Sequence, residues 1–201
     1  MKNVIKDALI LFAITLIAGL LLAVVNQITA PKIEEANEVK KQEACNIVFE
    51  DAASFELSDS ILESKDVVEY GEQNTKIKCN EVYIAYDNAG NELGYIFNIS
   101  TKEGYGAEIK FMIGIRLDRT INAISILASS ETVGLGLEAD KVLVPQFAGK
   151  NVSEFTYTKL GSTAPEEIDA ISSATITTKA FVNAVNNALG LFDVINEGRA
   201  N

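Results

Sequence analysis

The chain has 201 residues, 28 acidic against 17 basic, and a net charge of −11. That balance excludes a phosphate-backbone partner such as nucleic acid, which needs clustered Lys and Arg. With no His in the sequence, His-ligated zinc and haem, Ser–His–Asp triads and Cys–His dyads are excluded together.

The first element is apolar. No charged residue occurs between Asp7 and Lys32. The run Ala8 to Val25 is long enough, as a helix of about 27 Å, to cross a hydrocarbon layer of roughly 30 Å. A helix also satisfies its own backbone hydrogen bonds in lipid. A buried core helix would be shorter and carry a polar face. A cleaved signal would need small residues before the cut, whereas Ile28-Thr29-Ala30-Pro31 puts a large residue and a proline there. Residues 1–30 are therefore expected to form a single membrane anchor in contact with the lipid bilayer. Lys2 and Lys6 on one side and Lys32, Lys40 and Lys41 on the other barely decide orientation. The short N-terminus favours export of the rest of the chain.

Pro31 suits the first turn of a helix, so a second, amphipathic helix is expected from about Lys32 to Phe49, within a helical linker over 31–65. From about Asp66 the texture becomes strand-like, opening a domain over 66–201. Glu81 to Tyr86 and Gly94 to Ile99 alternate and are rich in β-branched and aromatic residues. Asp87-Asn88-Ala89-Gly90-Asn91 between them is turn chemistry. Ile109 to Arg116 and Ile121 to Leu127 flank Leu117-Asp118-Arg119-Thr120 as a second hairpin. Consecutive hairpins imply an antiparallel sheet with flanking helices, an α+β fold.

Two glycine-rich segments border the second hairpin: Glu103-Gly104-Tyr105-Gly106 and Thr132-Val133-Gly134-Leu135-Gly136. Neither is a GxxxxGK(S/T) or GxGxxG phosphate loop. They read either as turns or as places where bare backbone approaches a flat ligand. Val142 to Phe147 reads as a short helix or packing segment, and Asn151 to Leu160 as a strand or loop. Cys45 and Cys79 form no CxxC, and stand either as a disulfide or as two thiols.

Asp169-Ala170-Ile171-Ser172-Ser173-Ala174-Thr175-Ile176-Thr177-Thr178 precedes an amphipathic helix with Phe181, Val185, Ala188, Leu189 and Phe192 on or near one face. Ser and Thr at a helix start are ordinary caps. The same end, with its unpaired N–H groups and dipole, also favours an anion.

The segment resembles the flavinylation motif D-x-x-(S/T)-(G/S)-A-T of the FMN-binding domain family, through Asp169, Ser172, Ser173, Ala174 and Thr175. Many members carry Gly where Ser173 stands. Glu131-Thr132-Val133-Gly134-Leu135-Gly136 resembles that family's E-T-P-G-L-G, with Val133 in place of Pro. Thr29-Ala30-Pro31-Lys32-Ile33 is similar to the T-A-P-(K/R)-I junction that follows the membrane helix in the G subunit of the Rnf electron-transport complexes. The three blocks cover the anchor, the hairpin region and the C-terminal third; 51–78 carries no such motif.

The resemblance implies FMN joined through its phosphate to Thr175 by an ApbE-type flavin transferase. Ser172, Ser173, Ala174, Asp169, Glu131, Thr132, Gly134, Leu135 and Gly136 would lie around it, and no residue would be catalytic or metal-binding. Lys102 and Lys179 are further candidates, with solvated surface as the alternative. The implied activity is electron relay in an ion-translocating ferredoxin:NAD oxidoreductase, beside other Rnf membrane subunits. The protein would be single-pass in the cell membrane, with its C-terminal domain on the extracytoplasmic side. The alternatives are a stand-alone tethered electron shuttle, the related and usually longer C subunit of the Na⁺-translocating NADH:quinone reductase, and an anchored module without redox chemistry.

Overall fold

The computed structural model describes residues 2–106 and 108–200. The chain divides into two compact units, 1–40 and 41–201.

Helix α1 runs over Lys2–Val48 with Pro31 inside it. The break expected at Pro31 is absent, and the two expected helices are one. Proline removes one backbone donor and crowds the preceding turn, a cost tolerated where a helix is otherwise well supported. Just before it, the Thr29 hydroxyl donates to the Val25 carbonyl at 2.9 Å. Every side chain from Val4 to Lys40 is exposed, among them Leu9, Phe12, Leu16, Leu21 and Leu22. This helix is long and apolar enough to cross a membrane. The Thr15 hydroxyl within the run donates to the Leu11 carbonyl at 3.1 Å, so its polar group is satisfied inside the helix.

The second unit opens with the last turns of α1. Strand β1 (Ser54–Leu57), the one-turn α2 (Asp59–Leu62) and α3 (Lys65–Glu72) follow. The stretch after Asp66, expected to begin the strands, is thus helical: α3 is amphipathic and buries Val67. Then come β2 (Ile77–Tyr86), β3 (Glu92–Thr101), β4 (Ile109–Arg116) and β5 (Ile121–Ser129). The five strands lie in the order β1-β2-β3-β4-β5, each pair antiparallel. Residues 41–65, expected as linker, contribute an edge strand and part of the core.

Register places alternate residues of the central strands on opposite faces. Tyr95 faces Ile115 and Phe97 faces Ile113. With Ile99 and Phe111 they pack against Phe181, Val185, Leu189 and Phe192 in the principal core. On the other face, Ala85, Ile96 and Met112 pack with Ala44, Cys45 and Val48 from the end of α1 and with Phe49 just after it. Covered on both sides, β3 is buried from Gly94 onward, its polar Asn98, Ser100 and Thr101 included.

A 3₁₀ turn at Gly136–Glu138 leads into α4 (Ala139–Val142) and α5 (Val144–Phe147). Strands β6 (Thr156–Thr158) and β7 (Glu167–Asp169) form a small parallel pair. Helix α6 (Thr175–Ala200) closes the chain. Both cysteines are free thiols. Cys45 contacts the Met112 sulfur at 3.8 Å, and Cys79 donates to the Glu81 carbonyl at 3.5 Å.

Candidate functional site

Two polypeptide corners meet at the N-terminus of α6. One is the segment from Asp169 to Ala174, fixed by a series of short-range bonds. The Gln146 side chain pairs with the Asp169 backbone, accepting from its N–H at 2.7 Å and donating to its carbonyl at 3.2 Å. The Thr178 hydroxyl accepts from Ile171 N–H at 3.1 Å and donates to the Ala174 carbonyl at 3.0 Å. Ser173 adopts φ +62°, a left-handed conformation that Gly takes without steric cost. The turn thereby delivers Thr175 as the first residue of α6.

The other corner is the loop after β5. Glu131 is buried, only 7% exposed, and both its carboxylate oxygens accept hydrogen bonds. Thr177 Oγ1 donates at 2.6 Å and Gly106 N–H at 3.1 Å. Gly136 abuts this pair: a β-carbon there would stand 2.6 Å from Glu131 Oε2 and 2.6 Å from Thr177 Oγ1. A β-carbon on Gly106 would run into the Ser130 carbonyl oxygen. Both glycine-rich segments therefore serve close approach of backbone to neighbouring groups.

Between the corners is a cleft of about 510 Å³ lined by Tyr105, Glu131, Thr132, Leu135, Gly136, Ser173, Ala174, Thr175, Ile176 and Thr177. Of the residues expected from sequence, Glu131, Thr132, Leu135, Gly136, Ser173, Ala174 and Thr175 come together there. Gly134, Ser172, Asp169, Lys102 and Lys179 do not line it. Gly134 supplies a positive φ of 76° in the same loop. The Asp169 carboxylate instead accepts from the N–H and hydroxyl of Ser162, bracing the turn before β7. Ser172, Lys102 and Lys179 are exposed.

Sequence reasoning missed Tyr105, Ile176 and Thr177 as cleft residues. Tyr105 is 73% exposed, and its flanking glycines were the available signal. Thr177 could have been found from its spacing, four residues before Phe181 and therefore on the inward face of the same helix.

A second cleft of about 490 Å³ lies along α6 and includes Tyr70, Arg119, Asn183, Asn186 and Asp193. Much of its polar lining is already engaged. Asn186 brackets the Phe155 backbone at 2.8 and 2.9 Å, and Arg119 pairs with Asp193 at 2.7 Å. The cleft at the helix end is the better candidate, because a helix N-terminus leaves its first N–H groups without intrahelical partners.

Residues 104–190 match the FMN-binding domain family, a span that contains all ten cleft residues. Residues 1–48 match the RnfG N-terminal region. The G subunit of the Na(+)-translocating ferredoxin:NAD(+) oxidoreductase complex of Acetobacterium woodii is 36% identical over 193 residues, covering 95% of this chain and 92% of that one. The G subunit of the ion-translocating oxidoreductase complex of Methanosarcina acetivorans is 28% identical, covering 94% of each. The G subunit of the proton-translocating ferredoxin:NAD(+) oxidoreductase complex of Clostridium ljungdahlii is 26% identical over 92% of each. Among solved structures, the C subunit of the Na(+)-translocating NADH-quinone reductase of Parabacteroides distasonis shares the fold, with a TM-score of 0.57 at 20% identity, over 81% of this chain and 94% of that one. NqrC of Shewanella oneidensis superposes with a TM-score of 0.54 at 16% identity, over 78% of this chain and 88% of that one. Matching both of those family models, and 36% identical to a G subunit over 95% of its own length, this chain belongs to the RnfG family, the G subunits of the ion-translocating (Rnf) oxidoreductase complexes.

Proposed function

We propose that this protein is the flavin-bearing relay subunit of an ion-translocating ferredoxin:NAD oxidoreductase, with FMN esterified through its phosphate to Thr175. The observation that carries the reading is how the hydroxyls of the acceptor segment are used. The Thr177 hydroxyl is committed to Glu131 and that of Thr178 to the Ala174 carbonyl. Thr175, half-buried, lines the cleft at the first position of α6.

The residues present suit FMN. A phosphate on Thr175 would meet the N-terminal N–H groups and dipole of α6. Tyr105, Leu135 and Ile176 offer apolar surface to a planar ring system, and the bare Gly136 lets Glu131 and Thr177 close one wall of the cleft. When bound, FMN supplies one- and two-electron chemistry. The chain's own part is to hold the group, exclude water on the Glu131 side, and leave the Tyr105 and Ile176 side open. No catalytic dyad is required of the protein, which fits a chain without His.

Attachment is the work of an ApbE-type transferase acting on an activated flavin donor. The folded unit stands on the extracytoplasmic side of the cell membrane, where a covalent tether prevents loss of the cofactor. Other membrane subunits of the complex supply and accept the electrons.

Co-expression with a flavin transferase, followed by intact mass and in-gel fluorescence, tests the attachment. The adduct is expected on the wild type, Thr175→Ser and Ser172→Ala, and absent from Thr175→Ala. An unmodified wild-type chain in the presence of an active transferase overturns the reading. A reporter fused at the C-terminus should be active only when exported.

A further inference from the structure

Glu131 is the single acidic side chain among the described residues that line the cleft, and the lining contains no Lys or Arg. Its carboxylate is removed from solvent and has two protein donors, Thr177 Oγ1 at 2.6 Å and Gly106 N–H at 3.1 Å. Those donors come from α6 and from the loop before β4, so one side chain joins three separate stretches of the cleft wall. The bare backbone of Gly136 lets the carboxylate and the Thr177 hydroxyl approach it closely, since a β-carbon would stand 2.6 Å from each.

We propose that Glu131 is a positioning residue with an electrostatic role: it fixes the cleft wall by bridging Gly106 and Thr177, and it holds a negative charge there that makes a flavin in the cleft a poorer electron acceptor. This rests on the flavin reading above and assigns a regulator of that same site. Any group in the cleft that gains negative charge on reduction is opposed by a fixed like charge, and the opposition is strong where water is excluded. The two donors are neutral, so they orient the charge without cancelling it.

The two roles are separable by substitution. Glu131→Gln keeps the shape and removes the charge: its carbonyl can accept from Gly106 N–H while its amide donates to Thr177 Oγ1. Thr177→Val removes one donor and keeps the charge. Holoprotein of each is titrated with dithionite against a dye of known potential and followed by the visible flavin spectrum. Mildly alkaline pH is used, where electrons enter without full compensation by protons. Glu131→Gln should favour electron uptake by about tenfold or more, about 30 mV more positive for a two-electron couple. Thr177→Val should leave the potential within a few-fold of wild type in the same terms, while lowering thermal stability.

An unchanged potential in Glu131→Gln overturns the electrostatic role, as does an equal positive shift in both variants, which would assign the effect to cleft shape. Intact mass is recorded on every sample. Failure of the wild type to carry flavin would sink the attachment reading instead, so the two failures are told apart.

Discussion

The ring of Phe49 packs on the bare backbone of Gly114, where a β-carbon would stand 2.9 Å from its Cε2 atom and 2.8 Å from the Val48 carbonyl oxygen. One of those neighbours is backbone and cannot swing aside. Gly114→Ala should therefore destabilise the folded unit by about 1–3 kcal/mol, the usual cost of overpacking. Phe49→Ala, which empties a fully buried site, should cost about 3–5 kcal/mol. Urea unfolding followed by circular dichroism measures both, and a neutral Gly114→Ala would contradict the packing.

Ser173 makes the opposite prediction. Its φ of +62° strains any residue with a β-carbon, so Ser173→Gly should be neutral or stabilising, by up to about 1 kcal/mol. A β-branched residue there should be markedly worse, and Ser173→Val should lower Tm. Flavin attachment should survive in Ser173→Gly, since the turn that presents Thr175 keeps its shape.

The thiols should resist alkylation in the folded state. Burial, then the neighbouring Glu81 charge, pushes Cys45 up to about 11 despite Lys41. Burial raises Cys79 to about 12 against the bond it makes to the Glu81 backbone. With so little thiolate at neutral pH, iodoacetamide labelling followed by mass spectrometry should be slow in native protein and fast in urea. Rapid native labelling of Cys45 would disprove its burial, and that of the half-buried Cys79 would contradict its raised thiol.

Glu81 should contribute to acid sensitivity. Burial pushes its carboxyl up, but hydrogen bonds from Lys41 and Asn98, the Lys41 charge and the Tyr83 hydroxyl outweigh it, leaving it below the usual glutamate range. Lys41 Nζ lies 2.7 Å from Glu81 Oε1, and Asn98 Nδ2 lies 2.7 Å from Oε2. A depressed folded value means that the stabilisation is complete above the ordinary glutamate pKa and is lost as pH falls through the folded one. Unfolding free energy measured from neutral to acid pH should fall less steeply in Glu81→Gln than in wild type.

The hairpins were legible because their turns carry their own chemistry. Asp87 Oδ1 accepts from both Ala89 and Asn91 N–H groups at 2.8 Å, a local arrangement that needs no tertiary context. Helix α3 was not legible, because its eight residues span little more than two turns, shorter than the window over which a helical period can be read. Pro31 misled for a related reason: its local preference for a helix start was overridden within a longer helix. At the site, Thr175, Glu131 and Gly136 were singled out through resemblance to family motifs, and the fold gathers them in one cleft. Tyr105 and Ile176 were not, since exposed apolar side chains become meaningful only when the fold gathers them. Asp169 was visible but its task was not, because the Ser162 turn it braces lies earlier in the chain and returns to it only on folding.

The last turns of α1 belong to the folded unit, whose boundary falls at Lys41, inside a helix. Trimming the chain at the first loop, after Phe49, would strip Ala44, Cys45, Val48 and Phe49 from one face of the sheet and uncover Ile96 and Met112. A fragment beginning at residue 66 would also lose β1 and leave Tyr83 to Tyr86 without their edge partner. A water-soluble version of this protein that still folds must keep a stub of the membrane helix as part of its interior.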